Sequence, residues 1–145
     1  MSFGARVHGR SGTASLLVRV VPLLALTLVG CGADVERTEA ASTADDFSAA
    51  AASDPGAACG LLAPRTLETL EEDGAPCAQA LAEAGLEPAG ARGPVTVAGH
   101  SAQVRYADGT VFLARFDDDW RVTAAGCERA SADDAVPYDC SVDAG

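Results

Sequence analysis

A chain of 145 residues with a net charge of −11 and only 5% aromatic residues has room for one small domain and little apolar bulk to hold it. All 21 carboxylates follow residue 31, where only seven of the ten arginines lie, so that part of the chain carries −14. Such a surface repels phosphate backbones and anionic head groups, which sets nucleic acid aside as a partner. Lysine, isoleucine and asparagine are absent while alanine occurs 31 times, a bias that GC-rich coding DNA explains better than folding does, so a high-GC bacterium is the expected source.

At the start of the chain Arg6, Arg10 and Arg19 precede Val20 to Gly30, eleven residues without a charge. Eleven residues rise only about 16 Å as a helix, half of a bilayer core of about 30 Å, so the run cannot span a membrane by itself. Positive residues before a short apolar run make the pattern of a secretion signal. Its end, Leu28-Val29-Gly30-Cys31, resembles the bacterial lipobox. The resemblance implies a diacylglyceryl group on the Cys31 thiol, cleavage between Gly30 and Cys31, and a second acylation of the new N-terminus. Two or three chains at about 0.8 kcal/mol per buried methylene anchor stably where one is marginal. The expected location is the outer face of the cytoplasmic membrane.

Residues 1–30 thus read as a lipoprotein signal peptide, 31–44 as a lipidated N-terminus and flexible tether, and 45–145 as a single domain. The tether, GADVERTEAASTA, is small, polar and without an apolar period; random-coil statistics give it a reach of about 20 Å. Four more cysteines follow: Cys59, Cys77, Cys127 and Cys140. An even number in an exported chain points to two disulfides, and of the three connectivities we prefer Cys59 with Cys77 and Cys127 with Cys140, each local. Each would close a loop worth about 3 kcal/mol. The spacings do not make the paired short ligand set of a zinc site.

Thr43 is placed to cap a helix from Ala44 to about Ser53, with Phe47 and alanines on its buried side. Asp54-Pro55-Gly56 breaks it, and a short helix around Ala57 to Leu62 carries Cys59. Pro64 and Pro76 each open a further helix, the first with Leu67 and Leu70 on one face, the second with Cys77, Ala80, Leu81 and Ala84 inward. Glu87 to Pro94, rich in Gly and Pro, marks the change from helices to strands. Beyond it VTVAG, SAQVRYA, TVFLARF and WRVTAA alternate with period two, a four-stranded antiparallel meander. A three-residue turn, Ala107-Asp108-Gly109, would set Val104 beside Phe112 and gather Val104, Phe112, Ala114, Phe116, Trp120 and Val122 on one face.

The fold class is therefore α+β, with N-terminal helices packed on a curved four-stranded meander. This order resembles the small cystatin-like or nuclear-transport-factor-two-like cone. More closely, ACGLLAPRTLETLEE, PCAQAL, TVFLARFDDDWRVTAAGC and PYDC resemble a family of small actinobacterial lipoproteins, and the likeness implies the anchor, the fold and the disulfides without carrying an active site.

No residue constellation identifies a reaction. Asp117-Asp118-Asp119 could collect a hard cation, but the calcium-loop pattern fails because Arg121 and Val122 occupy its ligand and glycine positions; a solvated hairpin tip is the expected role. Gly99-His100-Ser101-Ala102-Gln103 departs from the nucleophile elbow at Gln103 and lies between two strands. The expectation is accordingly a non-catalytic protein without metal or cofactor, binding a protein partner or a small apolar ligand between helices and sheet, in a pocket lined by Phe112, Phe116 and Trp120. The alternative is a structural or regulatory interaction module with a filled core, in which those residues pack solid.

Overall fold

The structure, a computed structural model, describes residues 30–133 and 135–145, without the side chains of residues 30 and 31. The secretion signal and the thiol of Cys31 lie outside the described residues.

Helix α1 runs from Gly30 to Ser53. Ala40, Ala44, Phe47 and Ala51 are buried along it at intervals of four, three and four residues, which places them on one stripe of a helix. The segment 32–44, read as a tether, is thus the first half of this helix, and Thr43 sits in its interior instead of capping it. The stripe is made of alanine there, so it carries no hydropathy signal. Alanine nevertheless has the highest helix propensity, and its small side chain lets the helix lie close against the sheet.

Three short helices follow. Asp54 caps α2 (Pro55–Cys59), its carboxylate accepting the Ala57 N–H at 3.2 Å. Proline opens α3 (Pro64–Glu71), while α4 (Cys77–Ala84) follows Pro76 and ends on Gly85 at φ +63°, the left-handed closure that glycine permits without a Cβ clash. The Cys59–Cys77 disulfide ties α2 to α4.

The sheet has five strands rather than four, in chain order and all antiparallel: β1 (Arg92–Ala98), β2 (Ser101–Tyr106), β3 (Gly109–Phe116), β4 (Asp119–Arg129) and β5 (Tyr138–Val142). The added strand holds PYDC. Cys127 and Cys140 are direct cross-strand partners on β4 and β5, and they form the second disulfide. Five residues with a single large aliphatic side chain give too short an alternation to read as a strand from sequence; pairing with β4 supplies what the pattern lacks.

The β2–β3 register also departs from expectation. Ala107 and Asp108 alone form the turn, Tyr106 pairs with Gly109, and Val104 faces Val111 while Gln103 faces Phe112. Neither turn residue has a positive φ; Gly109 takes φ +147°. One residue fewer in the loop moves every side chain of β3 to the other face. Val111 and Leu113 therefore join Ala102, Val104, Trp120 and Val122 in the core with Phe47 and Leu81, while Phe112, Ala114 and Phe116 fall on the alternate positions.

Pairing between β3 and β4 slips twice between Val122 and Cys127, and such bulges bend and twist the strand that carries them. The part of β4 before β5 begins is covered by the α2–α3 connector. Ala63 N–H donates to the Val122 carbonyl at 2.8 Å, Val122 N–H donates to the Leu61 carbonyl at 2.9 Å, and the hydroxyl of the fully buried Thr66 donates to the Thr123 carbonyl at 3.0 Å. A strand edge that would otherwise be open is thereby satisfied.

Candidate functional site

The middle of α1, the residues after α4 and the β2–β3 turn enclose a half-open cleft of about 180 Å³. Its floor is apolar: Phe47 and Ala51 from α1, Leu86 after α4, and Val111 and Ala125 from the sheet. Glu87, Asp108 and Glu128 stand exposed at its rim, and among the described residues no arginine lines it. Gly126, also in the lining, has φ +63°, and a Cβ there would come within 2.7 Å of the Leu86 side chain and 3.0 Å of the Ser141 hydroxyl. Only glycine allows Leu86 to close on β4 at this point. Sites for drug-sized ligands measure about 300–1,000 Å³, so this one accepts a group no larger than a side chain.

Tyr106 forms one wall. Its hydroxyl donates to Asp45 Oδ1 at 2.7 Å, and Arg92 holds Asp45 Oδ2 at 2.8 Å. Burial, then the hydrogen bond to the Asp45 carboxylate, push the phenol well above its ordinary value of 10, because both disfavour a second negative charge. Tyr106 is thus a fixed neutral donor that joins α1 to β2.

The other tyrosine has opposite surroundings. Tyr138 on β5 meets Phe112 edge to face at 5.0 Å between ring centroids. Its oxygen accepts from Arg129 Nε at 2.8 Å and from Gln103 Nε2 at 2.9 Å, and the Arg129 guanidinium lies 4.9 Å from the ring centroid. The Arg129 hydrogen bond, with a smaller contribution from Gln103, lowers this phenol below its ordinary value.

A third cluster ties the N-terminal turns of α1 to the far end of the sheet. Arg115 pairs with Glu36, and Asp118 lies 4.0 Å from the same guanidinium. The other Glu36 oxygen and the Trp120 indole nitrogen are buried without a hydrogen-bond partner among the described residues.

None of the three residues expected to line a pocket lines this cleft. Trp120 is 4% exposed within the core, Phe116 is 41% exposed at the end of β3, and Phe112 packs on Tyr138. The cause is the shorter β2–β3 turn, which exchanges the faces of β3 and brings Val111 to the cleft in place of Phe112. Asp117 and Asp118 form the β3–β4 turn and Gly99 and His100 the β1–β2 turn. Among the described residues, no three His, Cys, Asp or Glu side chains converge to hold a metal ion. Phe47 is read correctly as a buried helix residue; Leu86 and Tyr106 carry no local signal, since one lies in a connector and the other ends a strand whose facing depends on register. No described helix is long and apolar enough to cross a membrane.

Compared with known proteins, the chain matches no family model, no curated protein and no solved structure.

Proposed function

We propose that this chain is an extracytoplasmic lipoprotein, held on the outer face of the cytoplasmic membrane by acyl chains on Cys31, with a binding or accessory role in the cell envelope. The carrying observation is cysteine arithmetic. Of five cysteines, Cys59 pairs with Cys77 and Cys127 with Cys140, leaving as the odd one the residue that the lipobox-like LVGC marks for lipidation. Disulfides persist in oxidising compartments outside the cytoplasm, which agrees with export.

Binding is assigned to the cleft between α1 and the sheet, with the apolar floor giving affinity and the rim giving selectivity. The one phenol in the wall donates to Asp45 and so serves as a fixed part of the wall. The bulged sheet with α1 on its face is compatible with a cystatin-like or nuclear-transport-factor-two-like arrangement in the proposed actinobacterial lipoprotein family. A second reading, a structural or regulatory interaction module, is favoured by Trp120 packed within the core and by the small size of the cleft.

The helical start of the mature chain alters the geometry of anchoring. Glu36, already fixed to Arg115, is five residues from Cys31, about 8 Å of helical rise. Acyl chains on Cys31 would hold the domain against the head groups instead of 20 Å away.

Replacing Cys31 with Ala tests the anchor. The variant is expected in the soluble fraction of lysed cells and the parent in the membrane fraction, with the mass of a processed, acylated N-terminus. Unchanged membrane retention of the variant sinks the assignment.

A further inference from the structure

We propose that the domain docks on the bilayer through one end, built from the first turns of α1 and the β3–β4 turn, with Val35 and Phe116 entering the interface and the cleft opening away from the lipid. The proposal rests on the reading of Cys31 as acylated and adds which surface meets the membrane.

Three contacts define that end. Glu36 on α1 pairs with Arg115 near the end of β3, and Asp118 of the β3–β4 turn lies 4.0 Å from the same guanidinium. The Arg115 N–H donates to the His100 carbonyl at 2.9 Å, which brings in the β1–β2 turn. Helix α1 is unbroken from Gly30, so residue 31 lies about 8 Å of helical rise from Glu36 and no flexible spacer separates the acyl site from this end. The opposite end is tied as well. Asp45, which meets Tyr106 and Arg92, stands about 21 Å of helical rise beyond Cys31, and β3 runs about 23 Å from Gly109 to Phe116. The cleft beside Tyr106 is thus held away from the acyl chains.

The exposed apolar side chains fall the same way. Among the described residues the large ones are Val35, Phe116 and Val136, at 54%, 41% and 38% exposure. Val35 precedes Glu36 and Phe116 follows Arg115, so two of the three lie at the end that carries the acyl site, where each gains by leaving water. Single exposed apolar residues are ordinary on a protein surface; the lipid anchor beside these two is what gives them a partner. The carboxylates of the β3–β4 turn stay in the wet head-group layer, and Arg115 and Arg121 lie 4.0 and 3.5 Å from Asp118 and Asp119, which limits their repulsion from the surface.

The test uses the acylated full-length product, purified from membranes and reconstituted in vesicles of phosphatidylcholine brominated on its acyl chains, which quenches nearby tryptophan. Trp120 is the only tryptophan, and its buried indole nitrogen has no hydrogen-bond partner among the described residues to lose, so W120F supplies the background. In W120F/F116W the new indole replaces an exposed ring and is expected to lose about half or more of its emission relative to unbrominated lipid, as a side chain seated about 5–10 Å into the boundary should. In W120F/A107W, at the exposed β2–β3 turn, emission should be unchanged. With no substitution at all, the amides of His100 and Asp117 should exchange more slowly on vesicles than in the unanchored Cys31→Ala form, and that of Asp108 equally in both.

Quenching at neither position, or equally at both, overturns the docked end, and so does equal exchange of the His100 and Asp117 amides in the two forms. The lipoprotein reading survives those results as long as the intact mass shows an acylated N-terminus. A mass without acyl chains overturns that reading itself, and the docking with it.

Discussion

Tyr106 and Tyr138 are the only tyrosines in the chain, and their environments drive them to opposite sides of the same reference value. Tyr106 donates to a carboxylate, so its neutral form is favoured; Tyr138 accepts from Arg129, so its phenolate is favoured. The consequences for stability have opposite signs. The Tyr106 contribution is complete below the unfolded value near 10 and is lost as pH rises through the higher folded value. The Tyr138 contribution is present above the unfolded value and is lost as pH falls through the lower folded one. Ultraviolet titration should therefore show one phenolate forming below 10 in the folded protein and a second only above it. Tyr138→Phe removes the first step and Tyr106→Phe the second, and Tyr106→Phe also costs about 1.5–3 kcal/mol at neutral pH for the lost hydrogen bond to a charged acceptor. Two steps coinciding at 10 would refute the assignment.

Among the elements, α1 departs most from what its composition suggests. Most of its polar residues are on the exposed side, and apart from Phe47 its buried stripe is made of alanines too small to register as apolar. Ala40 lies inside the segment read as a tether and is fully buried. Ala40→Leu forces three extra carbons against the packed core and should destabilise the protein by about 1–3 kcal/mol in urea unfolding, whereas the same change at the exposed Ala33 should be near neutral. Equal and negligible effects at both positions would mean that this half of α1 is not docked. The β2–β3 hairpin teaches a related lesson. The residues of the strands were legible as a period of two, but the facing depended on whether the turn holds two residues or three. Both choices keep apolar side chains inward: one buries Phe112, the other Val111 and Leu113. Contacts with α1 decide between them.

Over the whole molecule, the two bridges hold parts that have little apolar surface of their own. Cys59–Cys77 fastens the short helices to each other, and Cys127–Cys140 fastens β5 to the sheet. Their loops, 18 and 13 residues apart in sequence, are each worth about 3 kcal/mol in the chain-entropy model, a large share of the 5–15 kcal/mol typical of a domain. Cys127→Ser/Cys140→Ser should accordingly lose about 3 kcal/mol and expose the β5 amides to hydrogen exchange before those of β2 and β3. Uniform exchange across the five strands would show that the bridge does not set the stability of the edge.

The amino-acid sequence alone determined the broad α+β order, the proline starts of the short helices, the local disulfide pairing and the lipobox-like end of the apolar run. Each depends on neighbours in the chain: a ring that fixes φ, a thiol within reach, a run too short to span. Tertiary structure decided the helical state of residues 32–44, the fifth strand, the facing of β3 and hence the position of the cleft. These depend on what a segment packs against, and an alanine stripe, a five-residue strand and a turn one residue shorter acquire their meaning only from the surface across from them.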